Sequence, residues 1–221
     1  MRDKLFYQAF VVSDFAQNTR IFWSANSNLA LIVDPGGDNH LLLSFLKENN
    51  LSPVAIWLTH SHIDHCAGVA ELARIFKLEI LGHPEERFFR EKLAEIGTLY
   101  GLRELLETCP EPTRYLVGGE KLEFAGYTFE VSHAPGHSPG HLAFYCKQEN
   151  LLISGDLVFA GSVGRTDLPG GDHKQLMDSI KKVVLNLPDD TKILSGHGEQ
   201  TTVGKERASN PFLNGEISCD I

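Results

Sequence analysis

The chain lacks several features that would each have assigned its class at once. No uninterrupted apolar run reaches bilayer-spanning length, which argues against a helical membrane protein. There is no basic excess either: 20 Lys and Arg stand against 29 Asp and Glu, a net charge of −9, and no basic stripe is visible. A nucleic-acid partner is therefore not expected. No CxxC pair occurs. Cys66, Cys109, Cys146 and Cys219 lie far apart, which supports neither a disulfide scaffold nor a zinc knuckle; free, mostly buried thiols suit a reducing compartment. The opening MRDKLFYQAF holds no apolar core of the signal-peptide kind, so a cytoplasmic location is expected. Linkers, low-complexity tracts and short repeats are missing too, and residues 1–221 read as a single domain.

What is present is ordinary globular patterning, with 42% hydrophobic and 22% charged residues. The segments KLFYQAFVV, TRIFWSAN and LALIVDPGG read as strands, the last two joined by a Ser/Asn-rich turn. Asp38 is placed to cap a helix through NHLLLSFLKENN, and a strand VAIWLTH follows Pro53. Val69, Leu72, Ala73 and Phe76 predict a helix through HCAGVAELARIFK, followed by a strand LEILGH. From Pro84 to Thr108 the pattern is helical, with Phe89, Leu93, Ile96 and Tyr100 on one face. Beyond Pro112 come the hairpin KLEFAGYTFEVSHA about Gly126, the strands HLAFYCK and LLISGDLVF, a helix HKQLMDSIKKVVLNL capped by Asp172 and Gln175, and the strand TKILSGHG. Two β-rich halves, each with helices, predict two mixed sheets packed face to face with helices outside. The consecutive hairpins argue against a doubly wound parallel sheet.

Chemistry concentrates just after apolar strands. LTHSHIDHCAG puts His60, His62, Asp64 and His65 within six residues. His137 lies in HAPGHSPGH, Asp156 in LLISGDLVF and His197 in ILSGHGE, each near a glycine that allows a sharp turn. Five imidazoles and two carboxylates suit two borderline divalent cations such as zinc, with iron and manganese also tolerated. In extended chain, residues two apart point to one side, so His60 and His62 can grip one ion, with His137 completing it. Asp64 and His65, after the turn, would face a second ion with His197, and Asp156 would bridge. Two such ions about 3.5–4 Å apart hold a hydroxide at neutral pH and polarise a carbonyl. Asp64 would both ligate and orient that nucleophile.

These motifs resemble the metallo-β-lactamase superfamily. THSHIDH is similar to its HxHxDH signature, and PGHSPGH, SGDLVF and SGHG look like its later motifs in order. The resemblance implies an αββα sandwich, with His60, His62 and His137 on one metal, Asp64, His65 and His197 on the other, and Asp156 on both. VDPGG, THSHIDHCAG, HAPGHSPGH and GSVGRTDLPGGDH narrow the likeness to short bacterial glyoxalase II-like proteins. That implies hydrolysis of a small-molecule acyl thioester, of the hydroxyacylglutathione kind, by a metal-bridging hydroxide. Arg165 falls where full-length members place a lysine on the thioester. Glu199 replaces their tyrosine, and few basic residues follow His197, which weakens the glutathione site. Persulfide dioxygenases share HxHxDH and a GRTD-like segment with one iron on His60, His137 and Asp156, and stand as the alternative, beside hydrolysis of another ester, amide or phosphodiester. Asp34 resembles a position that supports the site without binding metal. His133 and His141 flank His137 as candidate orienting groups; His40, His83 and His173 read as structural or solvent-facing. Phe88, Phe89 and Tyr100 are candidate walls of a substrate cleft.

Overall fold

Apolar side chains are buried on both faces of the central strands, as in the runs Ala30-Leu31-Ile32-Val33 and Leu151-Leu152-Ile153. Such strands need cover on both sides. The computed structural model describes residues 4–102 and 106–214. They fall into two compact units, one within residues 4–116 with 123–127 and the other within 117–122 with 128–214. Cys219 lies outside the described residues.

The first unit is built on a six-stranded sheet: β1 (Leu5–Val12), β2 (Gln17–Ser24), β3 (Leu29–Val33), β4 (Ser52–Trp57), β5 (Glu79–Gly82) and β6 (Arg114–Tyr115), neighbours in that order. β1 to β3 pair antiparallel, and β3 to β6 pair parallel. Parallel neighbours require crossovers, supplied by α1 (Asn39–Glu48), then α2 (Ile63–Cys66) and α3 (Val69–Phe76), then α4 (Arg87–Glu91) and α5 (Leu93–Leu99). Leu42 and Leu46 of α1 and Val69 and Leu72 of α3 pack on Ile21, Ile32, Ile56 and Ile80 of the sheet.

The second unit is built on the sheet β14-β13-β10-β9-β8-β7, from β7 (Lys121–Phe124), β8 (Tyr127–His133), β9 (Leu142–Cys146), β10 (Leu151–Gly155), β13 (Lys192–Ser195) and β14 (Thr201–Thr202). A ribbon of β11 (Val158–Phe159) and β12 (Ser162–Val163) stands apart. β10 and β13 run parallel, joined by α6 (His173–Ser179), and α7 (Val203–Ser209) follows β14. Leu176, Ile180, Val184 and Val203 close over Ala143, Leu152 and Ile193. Among the described residues no helix is long and apolar enough to cross a membrane.

The expected strands are found, and several expected helices are corrected. The helix predicted through 65–77 is two, broken at Ala67–Gly68. There Gly68 N–H donates to Pro35 O at 2.8 Å, and a Cβ on Gly68 would meet Asn39 Oδ1 at 2.4 Å. Close packing, not propensity, makes the break. The stretch from Pro84 is a 3₁₀ turn over Pro84–Glu86 followed by α4 and α5, and 103–105 lie outside the described residues. The helix from His173 loses α geometry at Ile180 and passes through a π-turn to Val184. The strand VAIWLTH ends at Trp57, so Thr59 and His60 lie beyond it.

Asp172 and Asp38 contrast as caps. Asp172 Oδ1 accepts Gln175 N–H at 2.8 Å, as expected. Asp38 makes no cap bond, because its left-handed backbone (φ 45°) turns the carboxylate to Ser13 N–H at 2.7 Å. Asp172→Ala should therefore cost about 1 kcal/mol and Asp172→Asn almost nothing, measured as shifts of the urea midpoint.

Candidate metal centre

In the first unit, the parallel neighbours β3 and β4 end level, with Val33 paired to Trp57 and Asp34 N–H donating to Trp57 O at 3.0 Å. Asp34 and Thr59 consequently leave the sheet side by side. The Asp34 carboxylate accepts Thr59 N–H at 2.7 Å and Thr59 Oγ1–H at 2.6 Å, and its Oδ2 lies 3.0 Å from His65 Nδ1. A carboxylate accepts only, so the His65 proton sits on Nδ1 and Nε2 keeps its lone pair. The same logic extends to His60. Thr59 gives its one hydroxyl proton to Asp34, so at 3.0 Å from His60 Nδ1 it accepts, and His60 too presents Nε2. His62 has extended backbone (φ −61°, ψ 154°), as its pairing with His60 required, and begins α2. The His60 ring centroid lies 4.7 Å from that of His62 and 4.0 Å from that of His65. Asp64 stands at the start of α2, with Oδ2 3.7 Å from His65 Nε2. His60, His62 and His65 are buried.

In the second unit, β10 and β13 end level in the same way: Gly155 pairs with Ser195, and Gly196 N–H donates to Gly155 O at 2.9 Å. Asp156 and His197 follow, at the carboxyl ends of parallel strands, where α/β sheets commonly place ligands. Asp156 Oδ2 lies 3.5 Å from His137 Nε2 and 3.5 Å from His197 Nε2. His137 donates Nδ1–H to the Arg165 carbonyl at 2.8 Å, leaving Nε2 as its donor atom. Gly164 is packed so closely that a Cβ would stand 2.0 Å from Asp156 O and 3.0 Å from His137 Nδ1.

Both clusters fit divalent cations. Separations of 3.5–3.7 Å between imidazole nitrogen and carboxylate oxygen are too long for a hydrogen bond. They match the edge, about 3.4 Å, of a tetrahedron with bonds of about 2.1 Å. The Nδ1 protons of His60, His65 and His137 are each committed to an oxygen, the arrangement that orients metal-binding imidazoles.

The flanking residues divide as follows. His141 Nε2 accepts the Asp156 N–H at 3.0 Å, and His133 Nε2 donates to Pro139 O at 2.9 Å, so both brace the HAPGHSPGH loop. Asp34 supports the first cluster as its position suggested. Arg165 reaches the second cluster through its carbonyl; its guanidinium, 56% exposed, forms two 2.7 Å bonds to Asp167. His83 caps the 3₁₀ turn by accepting Glu85 N–H, and His40 is exposed. Phe89 is buried with its ring perpendicular to that of His62 at 4.6 Å, whereas Phe88 and Tyr100 are about half exposed. Sequence reasoning missed Glu86, fully buried and accepting Ser61 N–H at 2.8 Å, and Thr59. Thr59 was signalled by its place in THSHIDH; Glu86 carried no local sign. Burial pushes the Cys66 thiol up, and the uncharged Sγ–H donates to Ser61 O at 3.4 Å.

Two level pairs of parallel strands, each releasing imidazoles and carboxylates at its carboxyl end, define a metallohydrolase scaffold. A family model of the metallo-beta-lactamase superfamily matches residues 14–197, and the chain belongs to that superfamily. The hydroxyacylglutathione hydrolase GloC of Haemophilus influenzae is 39% identical over 204 residues, spanning 92% of this chain and 95% of its own. Two solved structures are each 38% identical. The BLEG-1 B3 metallo-beta-lactamase has a TM-score of 0.88 over 95% of this chain and 100% of its own. TTHA1623 in a di-iron-bound form has 0.84 over 93% and 100%. The expected fold class, two mixed sheets with helices of the metallo-β-lactamase type, is the one found.

Two measurements check this geometry. Asp34→Ala leaves the buried Thr59 N–H without its acceptor and should destabilise the metal-free protein by about 1–3 kcal/mol in urea unfolding. The Arg165 guanidinium holds the Asp167 carboxyl down to about 2; in an NMR titration Arg165→Ala should return it to the ordinary carboxylate range.

Proposed function

We propose that the protein is a dinuclear metal-dependent hydrolase of a small acyl thioester, of the hydroxyacylglutathione type. In this reading His60, His62 and His137 hold one divalent cation, Asp64, His65 and His197 a second, and Asp156 both. One observation carries the reading: three buried histidines have their Nδ1 protons fixed on neighbouring oxygens, so each offers Nε2, beside a carboxylate for His65 and His137. When bound, a pair of divalent cations brings the pKa of water towards neutrality and polarises a carbonyl oxygen. Zinc suits the donors best, and the di-iron relative supports iron as well.

The rest is done by the chain. Asp34 and the Arg165 carbonyl lock the tautomers of His65 and His137, so the donors are preorganised before substrate arrives. Asp64, less deeply buried than His65, orients the water that attacks the carbonyl carbon and takes its proton. The C–S bond then breaks and a thiolate leaves. A thiolate is a good leaving group near neutral pH and needs no general acid. The 39% identity to GloC supports the glutathione thioester. The buried thiols of Cys66, Cys109 and Cys146 support a cytoplasmic location.

Apo protein loaded with zinc should bind two ions per chain and consume lactoylglutathione, followed by loss of thioester absorbance. His60→Ala and Asp156→Ala should lose metal and turnover together. Full turnover by either variant sinks the site assignment. Two bound zincs without thioesterase activity sink the substrate, and oxygen uptake with glutathione persulfide by iron-loaded protein would replace hydrolysis with dioxygenation.

A further inference from the structure

Ser61 is the single residue between His60 and His62, and both of its peptide groups are tied. Its N–H donates to Glu86 Oε2 at 2.8 Å, and its carbonyl accepts Cys66 Sγ–H at 3.4 Å. The torsions of that residue decide whether the two imidazoles point to one side. Glu86 lies 25 residues away in sequence and is completely buried, a costly place for a carboxylate unless it is hydrogen-bonded. Three positions on, on the same face of the helical segment, Phe89 packs its ring perpendicular to that of His62, with centroids 4.6 Å apart. Arg90, also fully buried, holds the segment in place, donating Nη1–H to His83 O at 3.0 Å and Nη2–H to Glu111 Oε1 at 3.0 Å.

We infer that the helical segment 84–91 is a brace for the metal-binding motif, with Glu86 as a positioning residue that sets the His60–Ser61–His62 backbone and Phe89 as a positioning residue for the His62 ring. This assigns the segment a role distinct from walling a substrate cleft, and it rests on the metal-binding reading above. Glu86 touches neither substrate nor metal in this role; it fixes the angle between two ligands. Removing its carboxylate leaves the Ser61 N–H unsatisfied in a dry interior and lets that peptide turn.

The test is cobalt(II) binding to the full chain, read by chelator competition and by the visible d–d spectrum, with thermal unfolding of the metal-free proteins alongside. Glu86→Ala should weaken one of two cobalt ions by about 10–100-fold and change its spectrum. Glu86→Gln, which keeps an acceptor for Ser61 N–H, should restore both most of the way. Phe89→Leu, which keeps apolar volume, should fall between wild type and Glu86→Ala. Glu206→Ala serves as the control. That glutamate is equally buried in the other unit, accepting Gly161 N–H and Asn210 Nδ2–H at 2.8 and 2.9 Å. It should lower the melting temperature without touching cobalt affinity. Wild-type affinity and spectrum in Glu86→Ala overturn the brace while leaving the metal reading intact. Affinity lost equally in Glu206→Ala, or not recovered by Glu86→Gln, also overturns it. If folded Glu86→Ala cannot be obtained, a Phe89→Leu protein with the wild-type spectrum does the same. A wild-type chain that takes up no cobalt overturns both readings.

Discussion

The Asp34 carboxylate receives three donors in the gap where β3 and β4 end: the Thr59 N–H, the Thr59 hydroxyl and His65 Nδ1–H. Because that one anion takes the hydroxyl proton, Thr59 has only a lone pair left for His60. Two imidazoles thereby have their tautomers settled by a single side chain that need not itself touch a cation. Charge-assisted bonds of this kind are roughly twice as strong as neutral ones, and they hold Asp34 in the left-handed region (φ 49°), where residues other than Gly, Asn and Asp are uncommon.

The second unit reaches the same end by different means. There the fixed acceptor for His137 is a main-chain carbonyl, that of Arg165, and the Asp156 backbone is pinned by the neutral ring of His141. A side-chain anion in one unit and a peptide dipole in the other perform equivalent work. The recurring element is geometric: two parallel strands that stop at the same level and release their next residues together, Asp34 with Thr59 and Asp156 with His197.

Much of this was legible because ligand chemistry and strand periodicity are local signals. Six consecutive residues carry four donors, and His62 has the extended backbone that the two-residue spacing demanded. Asp172 caps its helix because the cap depends only on residues within one turn. What escaped the reading depends on distant contacts. Gly68 ends a helical run because Asn39 and Pro35 press on it. Asp38 abandons its helix for Ser13. Glu86 looks like any surface glutamate in HPEER until the fold carries it to Ser61. β14 and α7 are only two and seven residues long, too short for a periodic apolar signal, and α7 is capped by Thr202, which accepts Lys205 N–H at 3.3 Å.

The pairing of β10 with β13 has a kinetic side. Gly155 and Ser195 are neighbours in the sheet although 195 − 155 = 40 residues separate them, so Asp156 meets His197 only after a long crossover has closed and its chain entropy has been surrendered. His60 to His65, by contrast, are adjacent in the chain. Non-local parallel pairing is slow relative to turn and helix formation. The first cluster also waits on a parallel pair, Val33 with Trp57, but across a shorter stretch of chain, so the second has the greater closure entropy to surrender.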